Sequence, residues 1–191
     1  MGEDKALLEF LNKPLIEHIM ERFSPLGDEL MIITNDPGNY QHLDVPLHTD
    51  VIPDRGALGG LYTALSIASH PYMALVACDM PFASTSLMLH LYEMLKESSV
   101  DAVLPSTDFG PEPMHAVYRT KRCLPPVREA INQDLWRMIS WHDRADVQIL
   151  SPQETRSLAP SEYTFWNLNT PEEFREAEEL AKSLELFSEE E

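Results

Sequence analysis

An α/β domain in three layers, built around a mostly parallel central sheet, is the fold class this sequence predicts. Three features carry that prediction. The first is Tyr72-Met73-Ala74-Leu75-Val76-Ala77-Cys78, a continuous apolar run that ends at Asp79-Met80-Pro81. An unbroken rather than alternating run of this length reads as a strand covered on both faces. The second is the order of the chain, in which helix-like segments precede strand-like ones repeatedly, as right-handed crossovers require. The third is size: 191 residues, 43% of them hydrophobic, suffice for one substantial core and a single domain over residues 1–191.

The elements follow in order. Pro14 fits the first turn of a helix that carries Leu15, Ile16, Ile19, Met20 and Phe23 on one face. Residues 29 to 35 make a second buried-strand candidate, closed by the turn Asp36-Pro37-Gly38. Residues 45 to 47 are a short edge-strand candidate. The stretch from Asp50 to Gly60 is rich in turn residues, and Leu61, Ala64, Leu65 and Ala68 continue it as a helix. After Asp79, Ser84-Thr85-Ser86 starts a helix that buries Leu87, Leu89, Leu91 and Leu95, and residues 100 to 104 form the next strand, stopped by Pro105.

Residues 111 to 118 read as a polar turn entering a strand. Residues 123 to 131 suit a helix after Pro125 and Pro126, residues 135 to 141 suit another, and 147 to 150 and 163 to 167 are short strand candidates. Thr170 caps a last helix that starts at Pro171, with Glu172 and Glu173 near the positive end of its dipole. Phe174, Ala177, Leu180, Ala181 and Leu184 form its apolar face.

Charge narrows the function. The balance of 14 Lys plus Arg against 32 Asp plus Glu, a formal net charge of −18, argues against general binding to nucleic acid or acidic membranes. A small anionic ligand remains compatible with it, since a lysine, backbone N–H groups and a metal ion make a locally positive pocket whatever the rest of the surface carries. No stretch reaches the apolar length of a membrane span and no secretory leader is visible, so a cytoplasmic setting is expected. Cys78 and Cys123 make neither a disulfide framework nor a zinc pattern.

The strongest chemical candidate is Asp79, at the carboxyl end of the apolar run, where α/β sheets bind ligands. A carboxylate there can hold a divalent cation whose other ligands are phosphate oxygens and water. Taken alone, an Asp-x-Pro such as this more often starts a turn or caps the next helix. Lys5 lies too early for a phosphate loop of the GxxxxGK[ST] type and alone reads as a surface lysine. Asn35 and Asp50 sit at strand or turn ends. Gly56, Gly59 and Gly60 let a backbone approach either a ligand or a packed helix. His115 can donate to a phosphate or ring carbonyl, or serve as a bonded structural residue. If Leu168 points into the core, Asn167 and Asn169 share the opposite face of an extended segment and can reach one polar ligand.

Together these residues resemble the molybdenum cofactor guanylyltransferase family, within the nucleotidyltransferases of Rossmann-like fold. Met1-Gly2-Glu3-Asp4-Lys5-Ala6-Leu7-Leu8 resembles the end of the family's glycine-rich loop, and Gly56-Ala57-Leu58-Gly59-Gly60 resembles its Gly-Pro-Leu-x-Gly pattern with alanine for proline. Cys78-Asp79-Met80-Pro81 is similar to Cys-Asp-x-Pro, Pro113-Met114-His115-Ala116 to Pro-x-x-Ala, and Asn167-Leu168-Asn169-Thr170-Pro171-Glu172-Glu173 to Asn-x-Asn-Thr-Pro-Glu-Glu. Asn35 and Asp50 resemble the family's strand-end asparagine and the aspartate before its glycine loop.

The resemblance implies transfer of GMP from GTP to molybdopterin or molybdenum-molybdopterin, with release of pyrophosphate and Mg2+ on Asp79. Lys5 and Asp79 would be catalytic. Asn35, Asp50, Gly59, Gly60, His115, Asn167 and Asn169 would join them in holding the substrates. It also implies an initial strand before Met1, so an amino-terminally incomplete domain is expected, and transient contacts with cofactor-synthesis or maturation proteins. The readings set against it are a related cytidylyltransferase or sugar-phosphate nucleotidyltransferase, and a non-catalytic cofactor-binding homologue.

Overall fold

A computed structural model describes residues 4–159 and 161–184; Met1-Gly2-Glu3, used in the resemblance, lies outside them. The described chain opens with a 3-10 turn, Lys5–Leu7, capped by the Asp4 carboxylate, which accepts from the Ala6 amide at 3.2 Å. A hairpin with no sequence forecast comes next. In it β1 (Glu9–Phe10) pairs with β2 (Lys13–Pro14) across Leu11 and Asn12, both at positive φ. Helix α1 (Leu15–Phe23) then buries Leu15, Ile16, Ile19 and Phe23, as their spacing predicts.

The second strand candidate is real but short. β3 (Ile32–Ile33) pairs in parallel with β4 (Leu47–His48), and among the described residues no ladder joins this pair to another sheet. Helix α2 (Gly56–Ile67) begins inside the glycine stretch, so Gly59 and Gly60 belong to its first turns rather than to a loop. β5 (Tyr72–Val76) leads through α3 (Thr85–Glu97) to β6 (Ala102–Leu104). The Ser84 side chain caps α3 by accepting from the Leu87 amide at 3.1 Å. A small hairpin, β7 (Ser106–Thr107) with β8 (Gly110–Pro111), turns the chain into β9 (His115–Arg119), and α4 (Thr120–Asn132) follows. β10 (Val147–Ile149), α5 (Pro152–Leu158) and α6 (Pro171–Ser183) complete the order.

The main sheet has the order β10-β6-β9-β5 and is mixed, which corrects the expectation of a mostly parallel one. β10 and β6 pair in parallel, whereas β9 is antiparallel to both β6 and β5. Length explains the reversal: residues 105 to 114, between β6 and β9, are occupied by the β7/β8 hairpin and leave no room for a crossover helix. β5 also departs from expectation. It pairs with β9 alone among the described residues and Ala74 is exposed, so the apolar run lies at an edge of this sheet, although both its faces are covered as expected: Tyr72 and Val76 pack on the side of α1 and α3, Met73 and Leu75 on the side of α2 and α4.

Strand alternation divides the core. Val103 and Val117 face α1 and α3 through Ile19, Phe23, Leu87, Leu91 and Leu95. Ala102, Leu104, Ala116 and Tyr118 face α2 and α4 through Leu61, Leu65, Val127 and Ile131. The three layers follow from this period of two. A third cluster joins Phe10, Leu15, Phe82 and Leu168 to Phe174, Ala177 and Ala181 of α6. Three smaller expectations fail. Leu89 is 45% exposed. Residues 135 to 141 form turns rather than a helix, although Trp141 is fully buried, and residues 163 to 167 are turn and coil rather than a strand.

Thr170 caps α6 as forecast: its side chain accepts from the Glu173 amide at 3.1 Å, and the Glu173 carboxylate accepts from the Thr170 amide at 2.8 Å. Thr170→Ala is expected to lower the unfolding free energy by about 1 kcal/mol, the usual worth of such a cap, read from the urea midpoint.

Candidate functional site

Two groups of polar residues lie at the carboxyl ends of strands. The first forms around Asp79, just beyond β5. The Lys5 ammonium stands 3.5 Å from an Asp79 carboxylate oxygen and donates to the Asn169 side-chain carbonyl at 2.7 Å. Each is placed by local structure. Lys5 begins the 3-10 turn capped by Asp4, and Asp4 is in turn held by the Tyr40 hydroxyl, which donates to it at 2.5 Å. Leu168 is fully buried, and its amide donates to the Asp79 carbonyl at 2.9 Å, which ties the Asn-Leu-Asn segment to the strand end. The Glu173 carboxylate accepts from the Asn169 amide at 2.6 Å, and this bond holds its pKa below the usual range. The Asn169 side chain donates to the Asn167 carbonyl, while the Asn167 amide group turns back to the Phe165 carbonyl.

The second group lies beyond β3 and β4. Asn35 donates to an Asp50 carboxylate oxygen at 2.9 Å, and the Asp50 amide donates to Asn35 Oδ1 at 3.2 Å. Thr63 of α2 donates to the other Asp50 oxygen at 3.4 Å and accepts from the Val51 amide at 2.9 Å. Gly59 is packed tightly here. A Cβ at Gly59 would come 2.8 Å from Arg55 Cβ and 3.3 Å from the Ile52 carbonyl, whereas one at Gly60 would meet nothing nearer than 4.0 Å.

His115 stands apart from both groups in the contacts it makes, in the structural setting that its sequence position also allowed. It is 0% exposed on β9, edge-on to Phe23 at 6.1 Å and to Phe165 at 5.7 Å. Burial pushes its pKa down to about 4. The folded state therefore holds it neutral between about pH 4 and the ordinary 6.5, while the unfolded chain takes up a proton. Stability contributed this way is full above pH 6.5 and lost as pH falls toward 4, by about 3 kcal/mol from a shift of this size. His115→Phe is expected to flatten the dependence of the urea midpoint over that window.

Cys78 gives a related result: burial and the neighbouring Asp79 push its thiol up to about 12, which favours the neutral form. Sequence reading passed over Thr63, Asp4 and Glu173 as site residues. Thr63 lies four positions after Gly59 on the same helix face, the one signal that could have placed it beside Asp50.

The first group suits polyphosphate chemistry. Its ammonium can move to an anionic oxygen, and its carboxylate is partly open, with side-chain exposure of 23%. Among the described residues no cluster of three or more His, Cys, Asp or Glu could hold a metal ion. The donor set is thus no closed cage, yet it fits Mg2+, which commonly takes one or two carboxylates and completes its shell with phosphates and water.

The fold is that of the α/β nucleotidyltransferases. The chain belongs to the family described as the MobA-like NTP transferase domain, which matches residues 1–146. It is 29% identical to the molybdenum cofactor guanylyltransferase of Desulfosudis oleivorans, over 95% of this chain and 89% of that one. It is 32% identical to the probable molybdenum cofactor guanylyltransferase of Methanothermobacter thermautotrophicus, over 92% of this chain and 91% of the relative. The crystal structure of molybdopterin-guanine dinucleotide biosynthesis protein A from Archaeoglobus fulgidus superposes with a TM-score of 0.81 at 25% identity, covering 95% and 92% of the two chains. No helix among the described residues is long and apolar enough to cross a membrane.

Proposed function

We propose that this chain transfers GMP from GTP to the terminal phosphate of molybdopterin, or of its molybdenum-loaded form, releasing pyrophosphate. The observation that carries the reading is the contact of Lys5 with both Asp79 and Asn169, since three segments far apart in sequence meet at one strand end. Lys5 offsets charge on the triphosphate as negative charge grows on the departing pyrophosphate. Asn169, with Asn167 behind it, orients Lys5 and the phosphates. Asp79 is the residue that would hold Mg2+, which when bound would neutralise phosphate charge and align the reacting groups. The acceptor phosphate is already anionic near neutral pH, so no side chain must remove a proton from it. Positioning and electrostatics carry the rate.

Asp50, fixed by Asn35 and Thr63, takes the nucleoside side, where a carboxylate can accept from the N–H edge of guanine. Gly59 and Gly60 let the nucleotide approach the backbone of α2. The setting is cytoplasmic in this reading, the residues act as one nucleotidyltransferase unit, and the product is handed on through transient contact with synthesis or maturation proteins.

The test incubates the purified chain with Mg2+, molybdopterin and radiolabelled GTP, CTP or ATP, and separates products from pyrophosphate. Formation of a guanine dinucleotide supports the reading. Preference for CTP, or for a sugar phosphate as acceptor, moves the chain to a sister activity, and nucleotide binding without turnover makes it a cofactor-binding homologue.

A further inference from the structure

Arg55 stands outside the residues assigned above, yet it links them to a distant part of the chain. It lies between Asp54 and Gly56, which have φ of +59° and +54°, and its own φ of −116° and ψ of 9° are those of a tight turn. Its carbonyl accepts from the Gly59 amide at 3.2 Å, and its Cβ lies where a side chain on Gly59 would go. A Cβ on Gly59 would also be 3.7 Å from Asp50 Oδ2. Gly59 is thus hydrogen-bonded to the Arg55 backbone and lies in the narrow space between Arg55 and the Asp50 carboxylate.

The far end of Arg55 is clamped. Its guanidinium pairs with Asp134 and lies over the Trp136 ring, 4.9 Å from the centroid. Both partners occupy positions that are poorly explained by packing alone. Asp134 follows the end of α4 at φ +59°, with its amide donating to the Ile131 carbonyl and the Leu135 amide to that of Ala130. Helix ends of this form favour glycine, because a side chain is strained in the left-handed region. An aspartate kept there retains a carboxylate, and that carboxylate holds Arg55. Trp136 is 54% exposed, a large ring left half in solvent beneath a cation. An ion pair with a partner as open as Asp134, whose side chain is 73% exposed, contributes little to stability.

We propose that Arg55 is a positioning residue, held by Asp134 and Trp136 so that Gly59 and Asp50 keep the geometry that receives the nucleotide. The inference rests on the assignment of Asp50 and Gly59 to the nucleotide. The guanidinium plane suits both partners at once, the carboxylate in its plane and the ring on its face, which a lysine cannot reproduce.

The test measures GTP affinity by calorimetry alongside thermal unfolding, for the unaltered chain and for Asp134→Gly, Trp136→Ala, Arg55→Lys and the Asp134→Gly/Arg55→Lys pair. Asp134→Gly relieves backbone strain while deleting the clamp, so its Tm is expected to hold or rise while its Kd for GTP rises about tenfold. Arg55→Lys should match it, and the pair should be no weaker than either single variant. A purely structural role moves Tm and affinity the same way. Unchanged affinity in Asp134→Gly and Trp136→Ala, with a chain that does bind GTP, overturns the inference alone. Failure of the unaltered chain to bind GTP, CTP or ATP overturns the nucleotide reading and this inference with it.

Discussion

Asp79→Asn is expected to lower the turnover of nucleotidyl transfer by about 10³-fold, with little change in unfolding free energy. The two halves of that expectation have separate causes. Asparagine matches aspartate in shape, and the backbone carbonyl that receives the Leu168 amide survives the change, so the segment carrying Asn169 stays docked. The lost ion pair with Lys5 is partly open to water, with side-chain exposures of 35% and 23%, and such pairs add little to stability. What disappears is the carboxylate that stands 3.5 Å from the Lys5 ammonium and would hold a divalent cation on the phosphates. Turnover at saturating GTP and Mg2+, set against the urea midpoint, separates the two. Near-normal turnover with a normal fold would remove Asp79 from the mechanism and with it the reading of this strand end.

How far the sequence shows this site depends on where each residue lies. Asp79, Leu168 and Thr170 are legible because each is fixed by local rules: an apolar run ending in a carboxylate, alternation that sends Leu168 inward, and a cap followed three residues later by Glu173. Contacts that cross the chain are not legible in that way. Nothing in the spacing of Lys5 and Asn169 says that they touch at 2.7 Å, and family resemblance alone brought them together beforehand. Arg55 and Asp134 are farther from view still, since positive φ at aspartates, Asp54 beside Arg55 and Asp134 itself, helps to set the turn that carries each.

The fold misleads in two places for physical reasons. The reversal at β9 is decided by the length of the connection after β6, which a hydrophobic run does not encode. In α4, Pro125 and Pro126 lie inside the helix rather than before it. They remove amides that would have paired one turn back, to Lys121 and Arg122, which are exposed and can be served by water. Burial of Cys123, Val127, Ala130 and Ile131 against α2 offsets the loss. The alternation of β9 turns His115 inward between two phenylalanine rings, the structural role that its sequence position allowed beside a ligand role.

Gly59→Ala should weaken GTP binding by about 10²-fold and lower stability by about 1–3 kcal/mol, the usual range for an overpacked site. The added methyl would lie 2.8 Å from Arg55 Cβ and 3.3 Å from the Ile52 carbonyl. Neither neighbour is the free end of a flexible side chain, so the turn from Asp50 to Arg55 has to move, and Asp50 moves with it. Gly60→Ala is the control that gives this result meaning. Its methyl meets only Asp50 Oδ1 and Ile33 Cγ2, both at 4.0 Å, and alanine is favoured over glycine inside a helix by up to about 1 kcal/mol. That variant should fold at least as well as the parent, so a fall in its GTP affinity would have to come from the ligand meeting the methyl group. If both variants bind GTP as the parent does, no nucleotide approaches the start of α2. If only Gly59→Ala is impaired, the turn matters through Arg55 and Asp50 rather than through contact with the helix backbone.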